Sequence, residues 1–291
     1  MAKATRQPHG STGRMAVTCA AKQGPRDEHQ FLDRHPAMIT SALVTGAGGG
    51  LGRAVALALA TRGCAVAALD INGPAAEETA AEAGSGLVTP LVLDLTAPGA
   101  PELAIAESLE ALGGLDIVVN NAGWGIGEAF LAMTEASWDR TLALNLKAVA
   151  LICSAAGRHM KAAGSGRIVN VTSPASRMAL PNYLAYAASK AGVDAVTRAA
   201  AVALAPFGVR VNSVAPGMMD TAMQSVTERQ LAAIEGREDV EAFLDERTRR
   251  IPIGQRTDVE TVAGMIVWLA LDAPDYVTAE RLNVSGGLDR D

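Results

Sequence analysis

Aromatic side chains are scarce in this sequence: three Trp, three Tyr and four Phe, or 3% of 291 residues. A surface that stacks nucleic-acid bases needs more of them, so no nucleic-acid partner is expected. Cationic excess is missing too, since the formal net charge is -6 and offers a polyanion little attraction. Cysteine is limited to Cys19, Cys64 and Cys153. An odd number of separated thiols cannot complete a disulfide framework and fits a reducing, cytoplasmic setting. Of the four histidines, His9, His29 and His35 precede the first strand, which leaves His159, expected to be exposed on a helix. No Cys/His group has zinc-ligand spacing, so no metal is expected and a zinc-centred enzyme is disfavoured. Long apolar runs are lacking as well. "VAGMIVWLAL", near the C-terminus, is about half of what a membrane-spanning helix requires, and the first residues contain no continuous apolar stretch of signal-peptide type. No membrane partner is expected.

What is abundant is small and apolar. Hydrophobic residues make up 49% of the chain, enough for one large core. Alanine, glycine and valine suit helices packed tightly on a parallel sheet. The first 37 residues stand apart, with six Lys/Arg and three Asp/Glu against 19 and 28 in the remainder. They show no periodicity and read as a disordered extension, expected to be dispensable for catalysis. Pro8 and Gly10 would break the basic helix of a targeting peptide, and Met38 stands just before the first strand, where a shorter chain would begin. Residues 38–291 read as one domain.

From Ser41 onward, apolar runs alternate with helical segments. "SALVT", "CAVAALD", "GLVTPLVLD", "LDIVVN", "GRIVNVTS", "VRVNSVAP" and "RLNVS" read as strands. Helices are expected in "GRAVALALATRG" and near 74–83, 101–112, 134–162, 185–205 and 258–271. Short buried strands alternating with helices indicate a parallel sheet covered on both faces: an α/β, doubly wound, Rossmann-like fold.

The first strand-to-helix turn, "TGAGGGLG", places Gly46, Gly50 and Gly52 in a GxxxGxG spacing. Starting from Gly46, the commoner GxGxxG would end on Leu51. Glycines let a pyrophosphate approach the backbone, and the helix N-terminus adds unpaired N–H groups and a positive dipole end. Asp70 ends the second strand, 24 residues after Gly46, where an acid can accept hydrogen bonds from both adenosine ribose hydroxyls. Asp94 ends the third strand and either meets the adenine or forms a turn. In "PNYLAYAASKAG", Tyr186 and Lys190 are i and i+4 and share a helical face. A free tyrosine titrates near pH 10 (roughly), and a nearby ammonium lowers that value. Tyr183 has no lysine at i+4, so it lines a pocket or packs at the helix entrance.

Taken in order, "TGAGGGLG", "NNAG" (Asn120 to Gly123), "LNLKA", "GRIVNVTS", "YAASK" and "VNSVAPGMMDT" resemble the short-chain dehydrogenase/reductase family over about residues 39–288. The resemblance implies a catalytic set of Asn145, Ser173, Tyr186 and Lys190. Tyr186 would exchange a proton with the substrate oxygen and Ser173 would hydrogen-bond that oxygen. Lys190 would hold the nicotinamide ribose, and Asn145 would support a water relay to Lys190. It also implies cofactor contacts at Gly46, Gly49, Gly50, Leu51 and Gly52, at Asp70, Asp94 and Leu95, at Asn121, Ala122 and Gly123, at Tyr186 and Lys190, and at Pro216, Gly217, Met219 and Thr221. The family often ends in TG, Gln or Glu, then DGG; here Ala279 and Ser285 occupy two of those places. Trp124 either borders the site or packs in the core.

The expectation is an NAD-dependent oxidoreductase that interconverts a secondary alcohol and a ketone, with Tyr186 as general acid/base. An NADP-linked 3-oxoacyl-thioester reductase and a non-catalytic nucleotide-binding sensor are the alternatives. NAD is preferred over NADP because Asp70 would repel a 2′-phosphate, no basic residue stands at Ile71 or Gly49, and Arg53 points elsewhere. Residues 218–250 would cover a small alcohol or ketone substrate. They begin with Met218, Met219 and Met223, and their eight acids and five arginines read as helical solvent faces. Association into a homotetramer or homodimer through the helices near 134–162 and 185–205 is expected.

Overall fold

The computed structural model describes residues 40–289. The extension over residues 1–37 and its dispensability lie outside the described residues. Apolar runs form seven strands: β1 (Ser41–Thr45), β2 (Ala65–Asp70), β3 (Val88–Val92), β4 (Ile117–Asn120), β5 (Gly166–Val171), β6 (Val209–Pro216) and β7 (Arg281–Val284). All pairs are parallel, in the order β3-β2-β1-β4-β5-β6-β7. Parallel neighbours need crossovers, which α1 (Gly50–Thr61), α2 (Gly73–Ala83), α3 (Ala100–Leu112), α4 (Glu135–Leu142) with α5 (Val149–Ala163), and α6 (Leu184–Leu204) supply. After β6 come α7 (Ala222–Ile234), α8 (Val240–Arg249) and α9 (Val259–Val267). Pro90 lies in β3, an edge strand, where its missing N–H costs no second ladder.

Alternation along the strands splits the core in two. On β1, Ala42 and Val44 face a layer with Val55, Leu59, Ile266 and Leu269 of α1, α9 and the turn that follows α9. Leu43 faces the other layer, with Ile105, Ile152, Met160 and Val193 of α3, α5 and α6. Gly157 lets α5 and α6 approach: a Cβ there would stand 2.9 Å from Leu204 Cδ1. The strand order reverses between β1 and β4, and a crevice opens at the carboxyl ends of the strands there, the usual ligand position in such sheets.

Several elements differ from expectation. The helix near 134–162 contains a π-helical turn, Ala143–Ala148, between α4 and α5, and α9 runs into a second, Trp268–Asp272. By length and composition alone the continuous helix Glu135–Ala163, 29 residues, could cross a bilayer, but half of its apolar window is buried, as in a core helix. His159 is half-buried on α5 rather than exposed.

Ala279 has φ of 66°, the one positive-φ residue other than glycine among the described residues. It stands where the resembling family carries glycine, and an L-residue in that region pays roughly 1–2 kcal/mol. Ala279→Gly should therefore leave stability unchanged or raise it by up to about 1 kcal/mol. Urea unfolding checks this: a loss of about 1 kcal/mol, as for alanine to glycine in a helix interior, would refute the strain.

Candidate active site

The crevice is closed at its floor by a clasp between β1 and β4. Thr45 Oγ1 accepts from Asn121 N and Ala122 N, both at 3.0 Å. Asn121 Nδ2 donates to the carbonyls of Thr45 (3.0 Å) and Gly46 (3.2 Å). Gly46 has φ of 67°, and a Cβ on it would lie 2.9 Å from Ala122 Cα. On Gly52 a Cβ would lie 2.0 Å from the Gly46 carbonyl oxygen, so α1 can start this close to the turn only without a side chain there. Gly49 is the N-cap of α1 and provides no side-chain cap. A Cβ on it would meet nothing within 4 Å. The first-turn N–H groups of a 12-residue helix therefore open on the cleft, a ready anion site.

Asp70 lines the same cleft. Its Oδ2 accepts from Gly48 N at 2.8 Å and its Oδ1 from Asn72 N at 2.9 Å, which leaves about two of its four lone-pair sites for a ligand. Arg53 is turned away, donating to the Gly48 carbonyl (2.8 Å), Thr79 Oγ1 (3.1 Å) and Glu78 (3.0 Å). Open backbone donors over Gly49 and a carboxylate at the end of β2 fit a dinucleotide, with pyrophosphate at the turn and ribose at Asp70. Asp94 closes its own turn, accepting from Thr96 N (2.9 Å) and Thr96 Oγ1 (2.6 Å). Those bonds hold its carboxyl below the usual range. Asp94, the buried Leu95 and Gly52 are not among the cleft-lining residues.

At the other end of the cleft, β5 delivers Ser173 and α6 delivers Tyr186 and Lys190. The register of α6 on β5 is set from inside. Asn120 Nδ2 donates to Asn170 Oδ1 (2.8 Å), Asn170 Nδ2 to Thr197 Oγ1 (2.9 Å), and Thr172 Oγ1 to the Lys190 carbonyl (3.2 Å). Burial pushes the Tyr186 phenol above its ordinary value, opposed by a hydrogen bond with Ser173. Burial also pulls Lys190 down to about 8, opposed by the Asp194 carboxylate. Lys190 Nζ donates to the Val171 carbonyl at 2.8 Å and stands 5.6 Å from the Tyr186 ring centroid. This corrects the expected effect of the ammonium: desolvation is the largest influence on the Tyr186 phenol and raises it above its ordinary value.

Tyr183, at the N-cap of α6, stacks on Tyr186 with ring centroids 4.4 Å apart. It lines the cleft, and its buried phenol is pushed far up by desolvation. Asn145, fully buried in the first π turn, does not line the cleft. Its Oδ1 accepts from Trp124 N (2.8 Å), and its Nδ2 donates to the Trp124 carbonyl (2.8 Å) and Ser189 Oγ (3.1 Å). Its side chain thus braces the loop after β4 against α6 and makes no hydrogen bond to Lys190. Trp124 stands beneath the Arg140 guanidinium, 4.1 Å from its ring centroid, and outside the cleft lining.

The far wall comes from the chain after β6. Pro216, Gly217, Met219 and Thr221 line a cavity of about 460 Å³. The Thr221 methyl would be 3.5 Å from a Cβ on Gly50, so this loop reaches across the glycine turn. Sequence reasoning missed Thr227 and Arg247, which also line the cavity. The charges of residues 218–250 do not all face solvent. Glu228 is 1% exposed, held by Arg256 at 3.0 and 3.1 Å and by Arg247 at 3.2 Å. A stripe of Thr227, Glu228, Leu231 and Ala232 at helical spacing was its sequence signal. Arg281 of β7 was missed too; it donates to the Ser173 carbonyl at 3.0 Å and pairs with Asp194 and Asp289.

A family model described as enoyl-(acyl carrier protein) reductase matches residues 46–289. A (3R)-3-hydroxyacyl-CoA dehydrogenase of Mus musculus is 36% identical over 260 residues, spanning 85% of this chain and 95% of its own. The structure of NAD+-bound xylitol dehydrogenase matches with a TM-score of 0.79 and 32% identity, over 85% of this chain and 98% of that one. An actinorhodin polyketide ketoreductase with NADPH matches with a TM-score of 0.83 and 30% identity, over 87% and 98%. The chain belongs to the short-chain dehydrogenase/reductase family and is an oxidoreductase acting on alcohol CH–OH groups with a nicotinamide nucleotide.

The lowered Lys190 value has a measurable consequence. Unfolded, the lysine keeps its proton up to its ordinary value of 10.5; folded, burial makes it lose it at about 8. Between those values the unfolded chain binds more protons, so stability rises with pH, while below 8 the cost of the buried charge is present in full. The difference in unfolding free energy between wild type and Lys190→Met should climb by on the order of 2–3 kcal/mol across that window. Urea unfolding of the nucleotide-free protein at a series of pH values measures it, and a flat difference would contradict the burial argument.

Proposed function

We propose that this member of the family is an NAD-linked dehydrogenase that interconverts a secondary alcohol and a ketone. One observation carries the reading: Ser173, Tyr186 and Lys190 line one end of the cleft whose other end holds the glycine turn and Asp70. When bound, the nicotinamide supplies the acceptor or donor of hydride. The remaining tasks fall to this chain. Ser173 donates to the substrate oxygen and stabilises charge developing there. Tyr186 takes the hydroxyl proton during oxidation and returns it during reduction. Lys190 has one of its three donors on the Val171 carbonyl, leaving two for ribose hydroxyls. Asn145 fixes the loop that carries Gly123, with its amide oxygen 3.6 Å from where a Cβ on Gly123 would stand.

The preference for NAD rests on Asp70. Its free lone pairs suit two ribose hydroxyls, whereas a 2′-phosphate would meet like charge. Ile71 beside it is exposed and uncharged, and Arg53 is engaged with Glu78, Thr79 and the Gly48 carbonyl. The name of the mouse relative favours a second reading, an acyl-thioester substrate, with NADP as the alternative nucleotide. We also read the protein as a homotetramer or homodimer through α5 and α6, whose outer faces form a groove lined by Ala150, Gly157, Ala199, Ala200 and Ala203. The buried free thiols of Cys64 and Cys153 suit a reducing cytoplasm.

Tyr186→Phe should lower kcat by about 10³-fold or more while NAD binding stays within about threefold, and Tyr183→Phe, which keeps the stacked ring, should cost less than about tenfold. Equal losses in the two variants would overturn the assignment. Wild type should favour NAD over NADP by on the order of a hundredfold in kcat/KM, and Asp70→Ala should lose most of that preference. Comparable use of both nucleotides by wild type would defeat the reading of Asp70.

A further inference from the structure

The substrate side of the cavity carries a positive charge that alcohol oxidation does not need. Arg247 of α8 lines it with its side chain 24% exposed. Its Nε donates to Glu228 Oε1 at 3.2 Å. Its Nη2 has only the Met218 sulfur, 3.9 Å away, a weak acceptor. Its Nη1 has no hydrogen-bonding partner among the described residues. Glu228 is already neutralised by another residue: Arg256 holds both its oxygens, Nη1 on Oε2 at 3.1 Å and Nη2 on Oε1 at 3.0 Å. Two arginines therefore share one buried carboxylate, with the exposed Asp220 as counter-charge to Arg256, and the Arg247 guanidinium keeps Nη donors facing the cavity. Asp220, the other acid of this cluster, is exposed and pairs with Arg256.

Beyond Glu228, no carboxylate pairs with Arg247 among the described residues. Phe243 lies 5.6 Å from its guanidinium carbon, and the nearby lining residues Met218, Met223, Thr227 and Leu231 are uncharged. Arg250, also at the cavity, is mostly exposed and paired with Glu246 at 2.6 Å. A half-desolvated guanidinium with free donors, set among thioethers and aliphatics, is costly unless an anion completes it. Its planar fork matches a carboxylate. Tyr183 connects the two ends: it stacks on Tyr186, and the Arg247 charge acts on its phenol.

We propose that Arg247 receives the carboxylate of the substrate, so that this protein acts on hydroxy acids and oxo acids. Their apolar body lies along Met218, Met223 and Leu231, between the carboxylate at Arg247 and the reacting carbon at Ser173 and Tyr186. This rests on the dehydrogenase reading of the same cleft. The test is calorimetric binding of linear and cyclic oxo acids, each paired with its methyl ester, to NADH-loaded protein, with turnover of the same compounds measured in parallel. In wild type, at least one acid should bind about tenfold or more tighter than its ester, or about 1.4 kcal/mol. Arg247→Met should remove that difference while NADH affinity, which reports an intact fold, is retained. Arg247→Gln, which keeps a donor for Glu228, should do the same and serves if the methionine variant does not fold. Equal binding of acids and esters by wild type, selectivity surviving in both variants, or no binding of any acid would overturn the proposal. Selective binding of acids without turnover by either nucleotide would instead defeat the dehydrogenase reading and leave the anion site standing.

Discussion

Three buried side chains, Asn120, Asn170 and Thr197, hold α6 in register on β5, and the reacting groups depend on that register. Ser173 leaves the end of β5, whereas Tyr186 and Lys190 ride on α6. A slip of one helical turn would carry them about 5.4 Å away. Apolar packing alone resists such a slip weakly, because alanine and valine on α6 can exchange places at small cost. A buried amide cannot: each unsatisfied donor or acceptor costs roughly 1–3 kcal/mol. The amides run from β4 to β5 to α6, and Thr172 adds a bond to the Lys190 carbonyl. The polar spine thus converts a plastic helix–sheet contact into a fixed alignment.

The nucleotide end obeys a different constraint, that of close approach. Gly46, Gly52 and Asn121 are packed so tightly that a methyl group on either glycine would strike backbone. This lets the start of α1 and the loop after β4 meet beneath one cleft, with Asp70 at its edge. The catalytic end is held together through charge. Lys190 is buried with Asp194 as its electrostatic support, and Asp194 in turn lies 3.5 Å from Arg281, which also holds the Ser173 carbonyl. The lysine, the serine and the end of the sheet therefore share one electrostatic neighbourhood.

Much of this was legible in the sequence because it is local. Short apolar runs such as "SALVT" and "AVAALD", alternating with helical segments, read as buried parallel strands, and the glycine turn between the first of them and α1 has a spacing that points to phosphate. Ser173, Tyr186 and Lys190 are implied by the family resemblance, with the i, i+4 pairing of Tyr186 and Lys190 beside it, and the structure brings them to one cleft. What was not legible depends on distant partners. Glu228 finds Arg247 19 residues on and Arg256 28 residues on, so a run of mixed charge looked like a solvent face. Asn145 reads as support for a water relay to Lys190, and what the sequence does not show is that its amide also braces the backbone of Trp124 and Ser189 from within the π turn. Asp94 had two readings on local grounds, and Thr96, two residues away, takes its carboxylate.

The cavity also ties together two positions that are far apart in the chain. A Cβ on Gly125 would stand 2.1 Å from the Tyr183 hydroxyl and 3.4 Å from the Tyr186 ring. The loop after β4 and the entrance of α6 therefore share one volume, and neither can grow unless the other shrinks. Among descendants of this sequence, a larger residue at 125 is admissible only together with a smaller one at 183. The size of acceptable substrates is then inherited as a pair of letters rather than one, and enlargement at 125 alone leads to a dead end.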